Sequence, residues 1–308
     1  MDTPWGPLPV SDAHVHFFSH RFFDSLARQR QIPMESLESI LSWRIPPEDP
    51  AQLASEWNAE LDRHGLDRCA IIASIPDDYD SVTTAVAAFP QRFYGYAMVN
   101  PLSDDTPKRV QEALETGRLH GLCFFPAMHR YSVHDERVSA LLDLAATHHA
   151  VAFVHCGVLS VGVRKKLGLP SLFDMRYSNP IDLHAVALRY PQVRFVVPHF
   201  GAGYFRESLM LCDLCPNVYL DTSSSNSWIE YEPHLDLRTV LRRAIDVLGP
   251  HRLVFGTDSS FFPRGWHAAV FEAQAKALYE IGADQASARL IFHDNLHQFF
   301  PEKKSPAE

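Results

Sequence analysis

Short apolar runs alternate along the chain with longer amphipathic segments. The apolar runs are rich in Val, Ile, Phe and Ala, which is typical of strands that are buried on both faces. The pattern predicts eight strands, at PVSDAHVHF, CAIIASI, RFYGYAMVNP, HGLCFFP, AVAFVHCG, RFVVPHFG, VYLDTSS and LVFGTDSS.

The segments between the strands carry the end signals of helices. In DDTPKRVQEALETG, Pro107 lies in the first turn and Gly117 lies just past the end, as is common for helix starts and stops. Similar patterns occur at DDYDSVTTAVAAFP, HDERVSALLDLAATHH, NPIDLHAVALRYP, LRTVLRRAIDVLG and HAAVFEAQAKALYEIG, and a last helix is predicted at DQASARLIFHDNLHQFF. Eight strand–helix repeats predict an α/β fold, a (β/α)8 TIM barrel.

The first strand–helix connection is longer than the others. Residues 18–66 exceed what one helix needs and contain RIPPEDP, so we expect an insertion after strand 1 that lies over the mouth of the barrel. We found no linker composition that divides the chain, which predicts a single domain over 1–308. The polar tail at 302–308 is expected to be disordered.

The composition limits the binding partners and the cellular compartment that we expect for the protein. The formal net charge is -9, which argues against nucleic acid and against an anionic membrane surface. No stretch approaches the roughly 20 apolar residues of a membrane span, and the N-terminus shows no secretory signal. Five scattered cysteines do not suggest a disulfide framework, so we expect a cytoplasmic protein.

Several predicted strands end in a histidine or an aspartate. His14 and His16 stand two apart on the first strand, and His155, His199 and Asp258 end three later ones. In such barrels the C-terminal ends of the strands meet at the active site. A single divalent cation would satisfy all of these groups; the donor set suits zinc, with manganese or iron as alternatives.

Each of these residues, taken singly, has an ordinary structural interpretation. His14 could hydrogen-bond a carbonyl in a turn, His155 could be a neutral core histidine, and His199 or Asp258 could cap the segment that follows. Their joint occurrence at strand ends favours the metal site.

Four short motifs, DAHVH, VHCG, PHFGAG and FGTDSS, occur in this order. Together they resemble the amidohydrolase superfamily, and more narrowly the amidohydrolase-2 group of metal-dependent hydrolases, which includes aminocarboxymuconate-semialdehyde decarboxylase. The resemblance implies one divalent metal held by His14, His16, His155 and Asp258, with His199 beside the water on that metal.

Strand four departs from the pattern of that superfamily. Binuclear relatives carry a metal-bridging lysine there, and many members of the narrower group read G-x-K-L-H-P, whereas this chain reads GLCFFPAM. Cys123 and Phe125 replace the polar pair. We therefore expect a single metal and a more apolar pocket wall at this strand.

The residues at the strand ends suggest a division of labour. Asp258 would act as metal ligand and proton acceptor, and His199 would orient water or stabilise the developing oxyanion. Asp12, two residues before His14, is expected on the same strand face, where it would orient a ligand imidazole.

The loops at the same barrel face suggest a small, anionic substrate. The candidate substrate-binding residues are Arg164 after strand five, Asn226 and Trp228 after strand seven, and Arg264 after strand eight. A homodimer is possible. Three functions remain open: a metal-dependent hydrolase of an amide, ester or lactone, which we favour; a nonoxidative decarboxylase of an aromatic or enoic acid; and a catalytically silent metal-binding protein.

Overall fold

The eight predicted strands are all present and pair in parallel, in the order of the chain. The structure is a computed structural model that describes residues 1–223 and 227–300. The strands are β1 Asp12–Phe17, β2 Cys69–Ala73, β3 Phe93–Val99, β4 Leu119–Phe124, β5 Val151–Val154, β6 Phe195–Val197, β7 Val218–Asp221 and β8 Leu253–Val254.

The residues after β8 return to β1 and bring the two edges of the sheet together. The backbone N–H of Ala13 donates to the Phe255 carbonyl at 2.7 Å, and that of His16 donates to the Ser259 carbonyl at 2.7 Å. The sheet is a nearly closed barrel within one domain, so the predicted (β/α)8 fold is confirmed.

Helices surround the barrel, one of them after each strand. The helices are α1 His20–Arg30, α2 Ser36–Leu41, α3 Pro50–His64, α4 Tyr79–Ala88, α5 Thr106–Glu115, α6 Pro126–His129, α7 Glu136–His148, α8 Gly162–Lys166, α9 Leu183–Arg189, α10 Phe205–Leu214, α11 Leu237–Leu248, α12 Ala268–Glu280, α13 Gln285–Arg289 and α14 Asn295–Phe299. The outer helices that follow β1 to β8 in turn are α3, α4, α5, α7, α9, α10, α11 and α12. A π-helical turn at Leu290–Asp294 joins α13 to α14. In the described part of the chain, none of these helices combines the length and the apolar character of a membrane span.

The core has two layers, separated by the sheet. On β2, Ala70 and Ile72 face the barrel interior, whereas Ile71 and Ala73 pack toward the helices, as the two-residue repeat of a strand requires. Large side chains such as Phe153 fill the interior and are almost fully buried. The interior is therefore a packed core rather than a pore, and an active site is expected at the C-terminal ends of the strands.

The long segment at 18–66 divides into two parts. Its last helix, α3, belongs to the outer ring, because Leu53 and Trp57 lie in the core between strands and helices. The part before α3 forms a smaller apolar cluster in which Phe22 and Trp43 pack with Val163 of α8, after β5. This smaller cluster adjoins the C-terminal ends of the strands, where Phe22 and Trp43 line a cavity. The tail at 302–308 lies outside the described residues.

Candidate active site

Three side chains from the two edges of the barrel converge at its C-terminal end. The Nε2 atom of His16 lies 3.0 Å from Oδ1 of Asp258, and Nε2 of His14 lies 3.6 Å from the same oxygen. One ligand atom from each residue lies within 4.8 Å of the other two. His14 and His16 come from β1 and Asp258 follows β8, so closure of the barrel creates this group.

Hydrogen bonds on the far side of each imidazole set its orientation. Nδ1 of His14 donates to Oδ2 of the buried Asp221 at 2.7 Å. Nδ1 of His16 lies 2.7 Å from the Ser74 hydroxyl. Because this hydroxyl donates its hydrogen to the Ile72 carbonyl at 3.0 Å, it accepts a hydrogen bond from the imidazole. Both rings therefore turn Nε2 toward Asp258, as metal-ligating histidines do.

The group fits a divalent cation. The Nε2 atoms of both imidazoles converge on the Asp258 carboxylate, so a divalent cation that displaced the ring protons would be held by all three groups. Zinc bonds of about 2.0–2.1 Å in a tetrahedron place ligand atoms about 3.3 Å apart, and the two distances of 3.0 and 3.6 Å bracket that value. His14, His16 and Asp258 can hold such an ion.

The carboxylates dominate the electrostatics of this group. Burial lowers the pKa of His14, but Asp221 and Asp258 outweigh burial and raise it to about 9. Burial raises the pKa of Asp258, but the hydrogen bond from His16 and the charge on His14 bring it well below its usual range. The site thus carries negative charge and attracts a cation.

His155 lies beside the group but outside the set whose ligand atoms are within 4.8 Å of one another. Its ring centroid is 5.4 Å from that of His199 and 5.5 Å from that of Phe125. Its Nδ1 atom is buried and has no hydrogen-bond partner among the described residues. A buried ring nitrogen without a partner is costly, and a metal would satisfy it. That His155 completes the ligand set stays a prediction.

His199 stands over the group in an unusual backbone conformation. Its φ is 57° and that of Phe200 is 53°, in the left-handed region that costs about 1–3 kcal/mol for residues other than glycine. Nδ1 of His199 lies 3.2 Å from the Ser223 carbonyl and 2.9 Å from the Ser223 hydroxyl, so Ser223 holds this side of the ring. Burial, together with the positive charge of His14, lowers the pKa of His199, which keeps the ring neutral.

Among the described residues, the hydrogen bonds to the His14 and His16 imidazoles involve Asp221, Ser223 and Ser74 rather than Asp12, whose role in orienting a ligand stays a prediction. β1 has a bulge between Asp12 and Val15, and a bulge breaks the alternation of side chains. Oδ2 of Asp12 accepts from Trp266 Nε1 at 2.7 Å, and Oδ1 accepts from the backbone of Thr257 at 3.1 Å and of His14 at 2.9 Å. Asp12 therefore joins β1 to the loop after β8.

Asp221 and Ser74, which hydrogen-bond the two imidazoles, are residues of the candidate site that sequence reasoning missed. Asp221 ends the buried strand β7 and is itself fully buried. It carries the same signal, an ionisable group at the tip of an apolar strand, that singled out Asp258. Ser74 follows β2 directly; a serine after a strand is too common to have been noticed.

The predicted substrate-binding residues lie in different surroundings. Arg264 lines the same cavity as His14, His16 and Asp258. Its Nη2 donates to Ser260 Oγ at 3.1 Å. Lys166, two residues after the predicted Arg164, also lines this cavity. Asn226 lies outside the described residues.

Trp228 is buried away from the cavity, whereas Arg164 lines a neighbouring cavity that shares Phe22 and Met98 with the first, so its role as a substrate contact stays a prediction. Arg164 donates to Gln29 Oε1 at 2.7 Å and to the Pro170 carbonyl at 2.7 Å, so it ties the loop to α1. Trp228 is fully buried and packs on Phe205, with ring centroids 5.8 Å apart. An aromatic residue in a loop can be core as easily as surface, and Trp228 is core.

The cavity above the group is large enough for a small organic molecule. Its volume is about 570 Å³, within the usual range for ligand sites. Phe125 lines the cavity, and Cys123, two residues earlier, is fully buried in the barrel interior. Strand four thus presents an apolar wall, as the sequence predicted.

A family model described as amidohydrolase matches residues 11–301 of the chain. The chain belongs to the amidohydrolase family. This family is metal-dependent, and the trio of His14, His16 and Asp258 is where this amidohydrolase can hold an ion.

Known proteins share part of the sequence or the fold of this amidohydrolase. Protein fluG of Emericella nidulans is 27% identical over 143 residues, which are 42% of this chain and 16% of that much longer protein. The structure resembles 5-carboxyvanillate decarboxylase LigW from Sphingomonas paucimobilis (TM-score 0.64, 16% identity, 96% of this chain and 99% of that chain). It also resembles a probable 2-pyrone-4,6-dicarboxylic acid hydrolase from Acinetobacter baumannii (TM-score 0.60, 15% identity, 95% and 99%). At such identities the likeness of the structures shows the fold alone.

Proposed function

We propose that this amidohydrolase is a zinc-dependent hydrolase that cleaves an amide, ester or lactone bond in a small carboxylated substrate. The observation that carries the proposal is the orientation of two imidazoles. His14 and His16 both present Nε2 to the Asp258 carboxylate, because Asp221 and Ser74 hold their Nδ1 atoms.

His14, His16 and Asp258 would hold the metal, with His155 as the fourth ligand. When bound, a divalent cation supplies Lewis-acid polarisation of a carbonyl oxygen and lowers the pKa of water. The protein contributes the geometry: the ligands come from rigid strand ends and are themselves hydrogen-bonded.

Asp258 and His199 are the candidates for proton transfer. The Asp258 carboxylate is held ionised, so it can accept a proton from the attacking water and deliver it to the leaving group. Ser223 holds Nδ1 of His199 through its carbonyl and its hydroxyl, which leaves Nε2 to hydrogen-bond the attacking water. Its role is to orient the attacking water.

Two cations at the cavity support an anionic substrate. Arg264 is partly buried, its guanidinium carbon lies 4.4 Å from the centroid of the Phe261 ring, and it lines the same cavity as the metal group. The Lys166 ammonium lies 5.4 Å from the Trp43 ring centroid, also at this cavity. In a chain of net charge -9, this local positive charge favours a carboxylate.

The apolar wall at strand four favours a second candidate, a nonoxidative decarboxylase. Phe125 and Met98 line the cavity near His155. A substrate carboxylate is destabilised in apolar surroundings, and its loss as neutral carbon dioxide relieves that cost. The same residues would then deliver a proton to carbon.

Isotopes distinguish the two reactions. We would incubate the zinc-loaded protein with carboxylated amides, esters and lactones and with aromatic and enoic acids, in water labelled with oxygen-18 or deuterium. Hydrolysis puts oxygen-18 into the product carboxyl, whereas decarboxylation releases carbon dioxide and puts deuterium on carbon. Asp258→Asn is the inactive control. Deuterium on carbon without oxygen-18 would replace the hydrolase with the decarboxylase, and neither product from any substrate would contradict both.

A further inference from the structure

A second group of metal-ligating side chains lies at the opposite end of the barrel. Asp67 stands two residues before β2, at the N-terminal end of the strands, whereas the active site lies at their C-terminal ends. His293 is in the π-helical turn and His297 is in α14. We call Asp67, His293 and His297 the basal cluster.

The distances in the basal cluster match those of a metal site. Oδ2 of Asp67 lies 3.3 Å from Nε2 of His293 and 3.2 Å from Nε2 of His297. All three ligand atoms lie within 4.8 Å of one another. Zinc–ligand bonds of about 2.0–2.1 Å require tetrahedral edges of about 3.3 Å, and both measured edges agree.

His293 is oriented for this purpose by a carboxylate. Its Nδ1 lies 2.7 Å from Oδ1 of Asp294, which is also paired with Arg289 at 2.9 Å. Nδ1 therefore carries the hydrogen, and Nε2 turns toward Asp67. A histidine that gives Nδ1–H to a carboxylate and presents Nε2 to the metal is the usual arrangement at zinc sites. Asp221 and His14 show the same arrangement.

The two imidazoles are also placed to share a ligand. His293 and His297 are four residues apart on the helical segment, and their rings stack with centroids 4.1 Å apart and planes 24° apart. Nε2 of His297 also lies 2.9 Å from Oγ of Ser11, so an ion at this nitrogen would turn the hydrogen of the Ser11 hydroxyl away from the ring. Protonation of both rings to pair with Asp67 would instead place two positive charges in contact. One divalent cation satisfies both nitrogens and the carboxylate together.

Solvent can reach the basal cluster. The Asp67 side chain is 48% exposed and that of His297 is 27% exposed, so an ion can enter and water can complete its coordination. Two imidazoles and one carboxylate are the donor set of zinc rather than of calcium or magnesium.

We propose that Asp67, His293 and His297 form a second, structural zinc site. It ties the end of the described chain to the base of the barrel beside β2. An ion that binds only the folded protein stabilises it by mass action.

The test counts zinc ions after the chelator-stripped chain is dialysed against buffered zinc at neutral pH. We expect His293→Gln/His297→Gln to bind about one zinc ion per chain fewer than the wild type. The matched control, His134→Gln/His234→Gln, removes two exposed histidines elsewhere and should bind as much zinc as the wild type. Equal zinc in the wild type and in His293→Gln/His297→Gln would overturn the proposal.

A second variant separates this site from the active site. In His14→Ala/His16→Ala, which lacks two active-site ligands, zinc should still raise the melting temperature, and adding His293→Gln/His297→Gln should abolish that rise. Loss of all zinc response in His14→Ala/His16→Ala alone would mean that the basal cluster is only an ion pair. Asp294→Asn, a milder change, should weaken the basal zinc by about 10- to 100-fold; unchanged affinity would contradict the role given to Asp294.

Discussion

Asp221 accepts a hydrogen bond from Nδ1 of His14 at 2.7 Å, although the two residues are 207 positions apart in the chain. This bond decides which nitrogen of His14 faces the metal group. It also places an ionised, fully buried carboxylate behind the ligand, where it strengthens the imidazole as a donor.

Asp221→Asn should weaken metal binding at the active site. The amide keeps the size of the carboxylate but loses its charge, so we expect zinc affinity to fall by about 10- to 100-fold. Competition with a chelator measures the change. Asp213→Asn, an exposed aspartate at the end of α10, is the control and should leave the affinity unaltered. Wild-type zinc affinity in Asp221→Asn would contradict the role given to Asp221 in metal binding.

Arg264→Met and Arg164→Met should differ in their effect on KM. Arg264 lines the cavity of the metal group, whereas Arg164 is bonded to Gln29 and to the Pro170 carbonyl. For a carboxylated substrate, loss of Arg264 should raise KM by about tenfold or more, as expected for one charged hydrogen bond. Arg164→Met should change KM little. Equal effects would show that the two arginines had been assigned the wrong surroundings.

Gly256→Ala should disturb the site from beneath. A Cβ at this position would lie 2.8 Å from Cβ of His14 and 2.9 Å from Oδ1 of Asp221. Both neighbours would have to move, so we expect a loss of about 1–3 kcal/mol in the free energy of unfolding and weaker zinc binding. Gly162→Ala is the control, because a Cβ there meets nothing within 4 Å. Chemical denaturation and zinc titration of both variants measure these effects. Wild-type stability and wild-type zinc affinity in Gly256→Ala would contradict the packing described here.

His120 should make the protein sensitive to acid. Burial lowers its pKa from 6.5 to about 4, and its Nδ1 accepts a hydrogen bond from the Gly95 N–H at 3.1 Å. The unfolded chain binds this proton more readily, so the stability that the neutral ring contributes is present above pH 6.5 and is lost as the pH falls toward 4.

His120→Gln keeps an acceptor but cannot be protonated. Between pH 7 and about pH 4.5 the variant should lose about 2 kcal/mol less unfolding free energy than the wild type. Urea denaturation at the two pH values measures this difference. His134→Gln, at an exposed position, should behave as the wild type. An equal loss in all three proteins would mean that His120 titrates normally in the folded state.

The fold and the central ligands could be predicted because they follow from local pattern. His14, His16 and Asp258 are polar residues at the ends of apolar strands, and the barrel brings all strand ends to one face. The surroundings of Asp12 could not be predicted, because the register of β1 shifts between Asp12 and Val15 and such a bulge leaves no mark in the alternation of DAHVH.

The contacts of side chains in the loops could not be predicted either. The partner of Arg164 is Gln29, 135 positions away, and no local pattern announces that contact. Trp228 follows a serine-rich stretch typical of a surface, yet its ring packs among Phe200 and Phe205. Side chains in loops depend on long-range packing, which periodicity does not encode.

The most direct test is an anomalous-scattering map at the zinc edge, from crystals of the zinc-loaded protein. The structure predicts a peak about 2.0–2.2 Å from Nε2 of His14, Nε2 of His16 and Oδ1 of Asp258. No peak within about 3 Å of these atoms, with the Asp258 carboxylate still hydrogen-bonded to His16, would contradict the metal centre on which the proposed hydrolase depends.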